Sequence, residues 1–157
     1  MVTVILDTNV LSELRLPNPD HNVVAWFTTQ AEEDLAIASF SIAEIEFGIA
    51  VLPQRNAALA QQISAWLTAI MTTHRVLALD GEAGRVLGRL HAVPALRHLA
   101  VSSPPARKPR FACDLAIAAT AVAHQAAVAT RNIADFRLIA RHCPGLAGVD
   151  PWTGQIF

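Results

Sequence analysis

Val2-Thr3-Val4-Ile5-Leu6-Asp7-Thr8-Asn9 is an apolar, β-branched run that breaks on an acid and two polar residues. Such a run predicts a strand buried on both faces, the pattern of a parallel sheet. Similar runs return at Leu35–Ala38, Val76–Leu79, Ala127–Thr130 and Leu146–Val149. Helical patterns fill the intervals. Val10–Leu16 reads as a short helix closed by Pro17 and Pro19. Asp20 is placed to cap a helix through Val23, Val24, Trp26 and Phe27. Ser41-Ile42-Ala43-Glu44 opens a third helix that ends near Gly48 to Pro53. Leu59, Ile63, Trp66, Leu67 and Ile70 mark an amphipathic helix within Gln54–His74. Asp80 caps the helix through Val86, Leu87 and Leu90, and Phe111–His124 and Ile133–Arg141 are further helices. Pro94–Arg110 holds four prolines and reads as a helix end and an exposed loop. Strands alternating with helices predict an α/β fold around a parallel sheet.

The 157 residues suit one domain, and they show no repeat and no linker. Hydrophobic residues make up 53% and charged residues 16%, enough to build a core and too apolar for a disordered tail. The net charge of −1 excludes a uniformly basic nucleic-acid coat but leaves room for a local basic patch. Two cysteines, Cys113 and Cys143, are too few for a disulfide framework and lack zinc spacing. No basic leader and no apolar stretch of about 18 residues is present, so the expected compartment is the cytoplasm, with no membrane association. Gly-rich phosphate loops, nucleophile elbows and paired histidines are all missing. Lys108 is the only lysine and lies in the Pro-rich segment, which weighs against receiver-type phosphoacceptor chemistry. Asn9, two residues after Asp7, weighs against a phosphoaspartate hydrolase.

In open α/β sheets, sites gather beyond the carboxyl ends of the strands. Asp7 follows the first predicted strand, Glu44 lies on the helix after the second, and Asn132 and Asp135 follow the fourth. Asp114 begins the helix that leads to that fourth strand. If the first and fourth strands are neighbours, these groups converge. Clustered carboxylates repel one another, and a cation is what keeps them all ionised at neutral pH. Oxygen ligands suit Mg²⁺ or Mn²⁺ rather than zinc. Each acid also has a plainer reading. Asp7 can be a turn or cap residue, Asp114 a first-turn acid favoured by the helix dipole, and Asp135 a solvated helix start. Ser41-x-x-Glu44 matches a capping box. Glu46 lies about 200° around the helix from Glu44, so the two cannot serve one site.

Four segments together resemble a PIN domain. They are Leu6-Asp7-Thr8-Asn9-Val10, Ala43-Glu44-x-x-Phe47-Gly48, Asp114-Leu115-x-Ile117-Ala118-Ala119 and Ala129-Thr130-Arg131-Asn132-x-x-Asp135-Phe136. Their order and spacing are similar to VapC-type toxins of toxin–antitoxin pairs. Asn9-x-x-Ser12-Glu13 and Val149-Asp150-Pro151-Trp152 are similar to the FitB-like branch. The resemblance implies a single PIN domain over 1–157, a three-layer α/β/α fold with a central parallel sheet of four to five strands. It implies a metal-dependent endoribonuclease with Mg²⁺, or Mn²⁺ in its place, inhibited by a cognate VapB-type antitoxin. A homodimer, and a higher-order assembly with antitoxin, are implied as well.

Residue by residue, the resemblance makes Asp7, Glu44 and Asp114 metal ligands and catalytic acids, with Asp135 or Asn132 completing the set. Thr8, Asn9 and Thr130 become supporting polar groups, and Ser41 could still cap its helix. The Leu96–Arg110 segment departs from the family pattern by being longer, proline-rich and basic. Its Arg97, Arg107, Lys108 and Arg110 are candidates for the RNA backbone, or else solvated loop charges. Val10, Leu11, Leu14, Ile45, Ile49, Leu52 and Trp66 are candidates for an antitoxin groove, against the alternative of ordinary core. Trp26, Trp66 and Trp152 read as packing residues. Two rival readings stand beside the nuclease toxin. One is a catalytically weak module that binds RNA or antitoxin, and the other is a DNA-directed metal-dependent nuclease.

Overall fold

The computed structural model describes residues 2–100 and 113–157. Its strands are β1 (Val4–Leu6), β2 (Leu35–Ala38), β3 (Arg75–Leu77), β4 (Ala127–Ala129) and β5 (Gly148–Val149). They form one parallel sheet in the order β3-β2-β1-β4-β5. The helices described are α1 (Thr8–Leu14), α2 (His21–Thr28), α3 (Ser39–Ala50) and α4 (Ala57–Thr73). They continue with α5 (Gly81–His91), α6 (Arg97–Ala100), α7 (Asp114–Ala123) and α8 (Ile133–Ala140).

Alternation along the strands sorts the core into two layers. Ile5, Ala36, Ala38 and Val128 face a core completed by Val86 and Leu90 of α5, Ile117 of α7, and Phe136 and Ile139 of α8. Leu6, Leu35, Ile37 and Ala129 face the other, with Val10 and Leu11 of α1, Val23 of α2, Ile45 of α3 and Leu67 of α4. The three-layer α/β/α expectation is thus borne out. Helix α7 is buried all round from Leu115 to Ala121, which explains its composition. Alanines let it lie close to both the sheet and its helical neighbours, and buried Thr120 returns its hydroxyl to the Ala116 carbonyl at 2.8 Å.

Strand order reverses next to β1, because β2 and β3 extend to one side and β4 and β5 to the other. Such a switch leaves a crevice beyond the strands' carboxyl ends. The register pairs Leu6 with Ala129, and the Asp7 N–H donates to the Ala129 carbonyl at 3.0 Å. Asp7 and Thr130 therefore emerge side by side at the switch point.

Several boundaries differ from expectation for physical reasons. Helix α1 starts at Thr8 rather than Val10, because the Asp7 carboxylate caps it through the Thr8 N–H at 2.7 Å. Helix α3 starts at Ser39, straight off β2, so Ser41 lies inside its first turn and the Ser41–Glu44 capping box does not form. The buried Ser41 hydroxyl has no hydrogen-bond partner among the described residues. Ser39 instead accepts the Leu79 N–H at 3.2 Å and ties α3 to the chain after β3. Asp20 and Asp80 cap α2 and α5 as expected, through the N–H groups of Asn22 and Ala83. Pro94–Leu96 forms a tight 3-10 turn, with the exposed Arg97 opening α6. Arg107, Lys108 and Arg110 lie outside the described residues.

The free side of β5 is covered by residues 155–157. Gly148 exchanges both backbone hydrogen bonds with Phe157, and the Asp150 N–H donates to the Gln155 carbonyl at 2.8 Å. Gly148 is required by this close approach. A Cβ there would stand 2.2 Å from the Val128 carbonyl oxygen and 2.3 Å from the Phe157 ring. Since the carbonyl belongs to a central strand, it cannot swing away. Gly148→Ala is expected to destabilise the fold by about 3 kcal/mol, the upper range for overpacking. Urea unfolding with an unchanged midpoint would contradict that account.

Candidate active site

Asp7, only 3% exposed, is the centre of a polar cluster at the switch point. One carboxylate oxygen accepts the Thr8 N–H, and the other accepts the Thr130 hydroxyl at 2.6 Å and the Asn9 amide at 2.5 Å. The Asn9 amide also reaches Thr130 Oγ1 at 3.2 Å, and its carbonyl oxygen accepts the Arg131 N–H at 3.0 Å. These contacts join β1 to β4 through side chains as well as through the ladder. Thr130 Oγ1 accepts the Asn132 N–H at 2.9 Å and so continues the network into α8.

Asn132 links the next pair of acids. Its amide nitrogen donates to Asp114 at 2.8 Å and to Asp135 at 2.7 Å. Two carboxylates from different helices thus meet on one nitrogen. The sequence left open whether Asn132 or Asp135 belongs to the site, and the structure brings both together with Asp114. Glu44 arrives on α3, and its negative charge helps to raise the pKa of Asp7. Glu46 is exposed on the other side of that helix, as its spacing predicts.

Cys113, absent from the sequence-based candidates, lies among the acids. Its buried thiol reaches the Phe40 carbonyl at 3.6 Å. Burial pushes that thiol up, and the charges of Glu44, Asp114 and Asp7 push it further. Asp7, Glu44 and Asp114, which come from three different elements, therefore all lie within electrostatic reach of this thiol. No spacing rule flags a cysteine for standing beside an acid, so only the packing reveals it.

Asp7 has its pKa raised to about 6. Burial is the main cause and Glu44 adds to it, while hydrogen bonds from Thr130, Thr8 and Asn9 oppose them. A cluster in this state suits a cation, which would offset both the desolvation and the repulsion. Carboxylate, hydroxyl and amide oxygens are hard donors, and they suit Mg²⁺ or Mn²⁺. As placed, no three acidic, histidine or cysteine side chains among the described residues close into a metal shell. Mg²⁺ does not need three, since it keeps several waters and takes one or two carboxylates directly. The Thr8 hydroxyl beside Asp7 is buried and has no hydrogen-bond partner among the described residues. It is an oxygen still open to a ligand or a water. The donor set therefore fits a hard divalent cation.

Other candidates fall outside the cluster. Val10, Leu11 and Ile45 are core, whereas Leu14, Ile49 and Trp66 are partly buried at its margin. All three tryptophans pack, and Trp152 also carries the Arg131 guanidinium over its ring at 5.1 Å.

Sheet order, switch point and acid cluster define a class of protein, and family comparison agrees with them. The chain belongs to the PIN domain family, which it matches over residues 4–141. It is 33% identical over 151 residues to the VapC ribonuclease Y4jK of Sinorhizobium fredii, spanning 95% of this chain and 97% of that one. It is 26% identical over 151 residues to the toxin FitB of Neisseria gonorrhoeae, spanning 95% and 98%. The structure of FitAB bound to an IR36 DNA fragment superposes with a TM-score of 0.70 at 28% identity, over 98% of each chain.

The Asp7 environment sets a pH signature in metal-free protein. A carboxyl with its folded pKa raised binds a proton more tightly in the native state, so its contribution is present at low pH and is lost as pH rises. Between pH 4 and pH 7 the stability of wild type relative to Asp7→Asn should fall by about 2–3 kcal/mol. Paired urea titrations in chelator check this. The comparison is of slopes, because Asn would also misplace a donor against the Asn9 amide at every pH. Parallel curves would show that Asp7 titrates normally.

Proposed function

We propose that this chain is the ribonuclease toxin of a toxin–antitoxin pair, an endonuclease dependent on Mg²⁺ or Mn²⁺. The observation that carries the reading is the hydrogen-bonded chain at the switch point that links Asp7 through Thr130 and Asn132 to Asp114 and Asp135, with the charge of Glu44 felt at Asp7. The Sinorhizobium relative, a VapC ribonuclease, supports the same class. Asp7, Asp114 and Glu44 would hold the cation, and Asp135 would complete the set beside Asn132. When bound, such a cation polarises a phosphate oxygen and lowers the pKa of water.

The protein's own groups supply the orientation. Thr130 and Asn9 fix the Asp7 carboxylate, and Asn132 sets the angle between Asp114 and Asp135. With its pKa raised to about 6, Asp7 is mostly ionised at neutral pH and would serve as an anionic ligand there. Hydrolysis by water then breaks the bond to the 3′-oxygen, leaving 5′-phosphate and 3′-hydroxyl ends, and the ribose 2′-hydroxyl takes no part. A cognate antitoxin of the VapB type is the inhibitor in this reading, and a homodimer that enlarges with antitoxin is the assembly. The cytoplasm is the compartment where RNA and antitoxin meet it. No described helix is long and apolar enough to cross a membrane.

The test is cleavage of labelled total RNA by antitoxin-free protein in Mg²⁺, Mn²⁺ or EDTA, with DNA of equal length as competitor. Discrete products are expected with either cation and none in EDTA. Asp7→Asn and Glu44→Gln should abolish them, whereas Glu46→Gln should stay within about twofold of wild type, as an exposed residue off the site. Intact RNA in every lane from a folded sample would defeat the reading. Asn132→Ala should lower activity or metal affinity about 10- to 100-fold, the usual effect of losing a group that orients ligands. Unchanged cation titrations and rates would show that its two hydrogen bonds are incidental.

A further inference from the structure

We propose that Arg131, held on the Trp152 indole beside the acid cluster, is a phosphate clamp that positions the RNA backbone, a role that rests on the ribonuclease reading above. Three features of the structure carry it. The first is placement. Arg131 stands between Thr130, which bonds to Asp7, and Asn132, which bonds to Asp114 and Asp135. Its N–H is anchored by Asn9 Oδ1 at 3.0 Å, so its backbone moves with the cluster.

The second is preorganisation. The guanidinium carbon lies 5.1 Å from the Trp152 ring centre. Trp152 is itself fixed. Its backbone N–H donates to the Asp150 carboxylate at 2.8 Å, its backbone carbonyl accepts from Asn22 at 3.0 Å, and its ring packs on the second core. A guanidinium held over an indole face by cation–π attraction still has N–H groups to offer to acceptors. Their planar fork matches two phosphate oxygens.

The third is charge. Arg131 is exposed, and it forms no ion pair with any carboxylate among the described residues, although acids lie close by in the fold. The pocket itself is acidic and repels a polyanion. A cation beside it offsets that repulsion where the backbone has to enter. The sequence motif Thr130-Arg131-Asn132 held the signal, but only the cation–π contact with Trp152 separates this arginine from an ordinary solvated one.

The experiment uses the full chain and a labelled single-stranded RNA of mixed sequence, with binding measured in EDTA over a salt series. Arg131→Gln should weaken binding about tenfold and reduce the log–log salt slope by about 0.7, the value for one phosphate contact on a single strand. In cleavage assays it should raise KM by a similar factor and leave kcat within about twofold, with an unchanged melting temperature. Arg131→Lys should keep the salt slope and recover part of the affinity. Trp152→Phe, which keeps an aromatic face, should fall between wild type and Arg131→Gln. Wild-type affinity and slope in Arg131→Gln would overturn the clamp, as would a fall in kcat alone. If wild type cleaves no RNA with any cation, the ribonuclease reading fails, and the EDTA binding comparison still decides whether Arg131 holds phosphate.

Discussion

The pairing of β1 with β4 is the constraint on which the rest of the molecule depends. It sets the point where strand order reverses, and its register delivers Asp7 and Thr130 next to each other. The hydrogen bond from the Thr130 hydroxyl to the Asp7 carboxylate then fixes an acid that burial alone would disfavour. Everything polar beyond it is reached in single steps: Asn9 on one side, and Asn132 with its two acids on the other. A slip of one residue in this register would send Leu6 to the opposite face and dismantle both a core layer and the cluster.

Stability and chemistry pull against each other at this place. Asp7 caps α1, so the same carboxylate that organises the site also starts a helix. Burial, with the negative charge of Glu44 added to it, raises the proton affinity of Asp7. Two buried hydroxyls, those of Thr8 and Ser41, find no partner among the described residues. Unsatisfied polar groups are costly in a core. Positions close in sequence to two of the acids are where such strain is tolerated when a site must remain able to receive something.

Much of this was legible in the sequence. The five strands, their parallel pairing, and the caps Asp20 and Asp80 followed from apolar runs and punctuation residues. The acids followed from their places after strands and at helix starts. What stayed hidden depended on distance. Ser41-x-x-Glu44 reads as a capping box because spacing cannot show that α3 begins two residues earlier, straight off a strand. Asn132 and Asp135 looked like alternatives, since a linear pattern does not reveal that one side chain holds the other. Cys113 and Arg131 carry no periodic signal, and both gain meaning only from what packs against them. Asp7 looked like either a cap or a site acid, and it is both.

The short return of residues 155–157 along β5 has a consequence for how copies of this chain meet. A parallel sheet offers two open rims for further strands to join. Here one rim is closed from within by antiparallel backbone bonds, and the Asp150 carboxylate pins the bend that makes the return possible. Among the described residues no strand pairs with the other rim, along β3, which shows Arg75 and Val76 to solvent. The outer edge left on the β5 side is only residues 155–157 long, and its Ile156 carbonyl is already taken by Arg137. An edge that short is a poor template for a further strand.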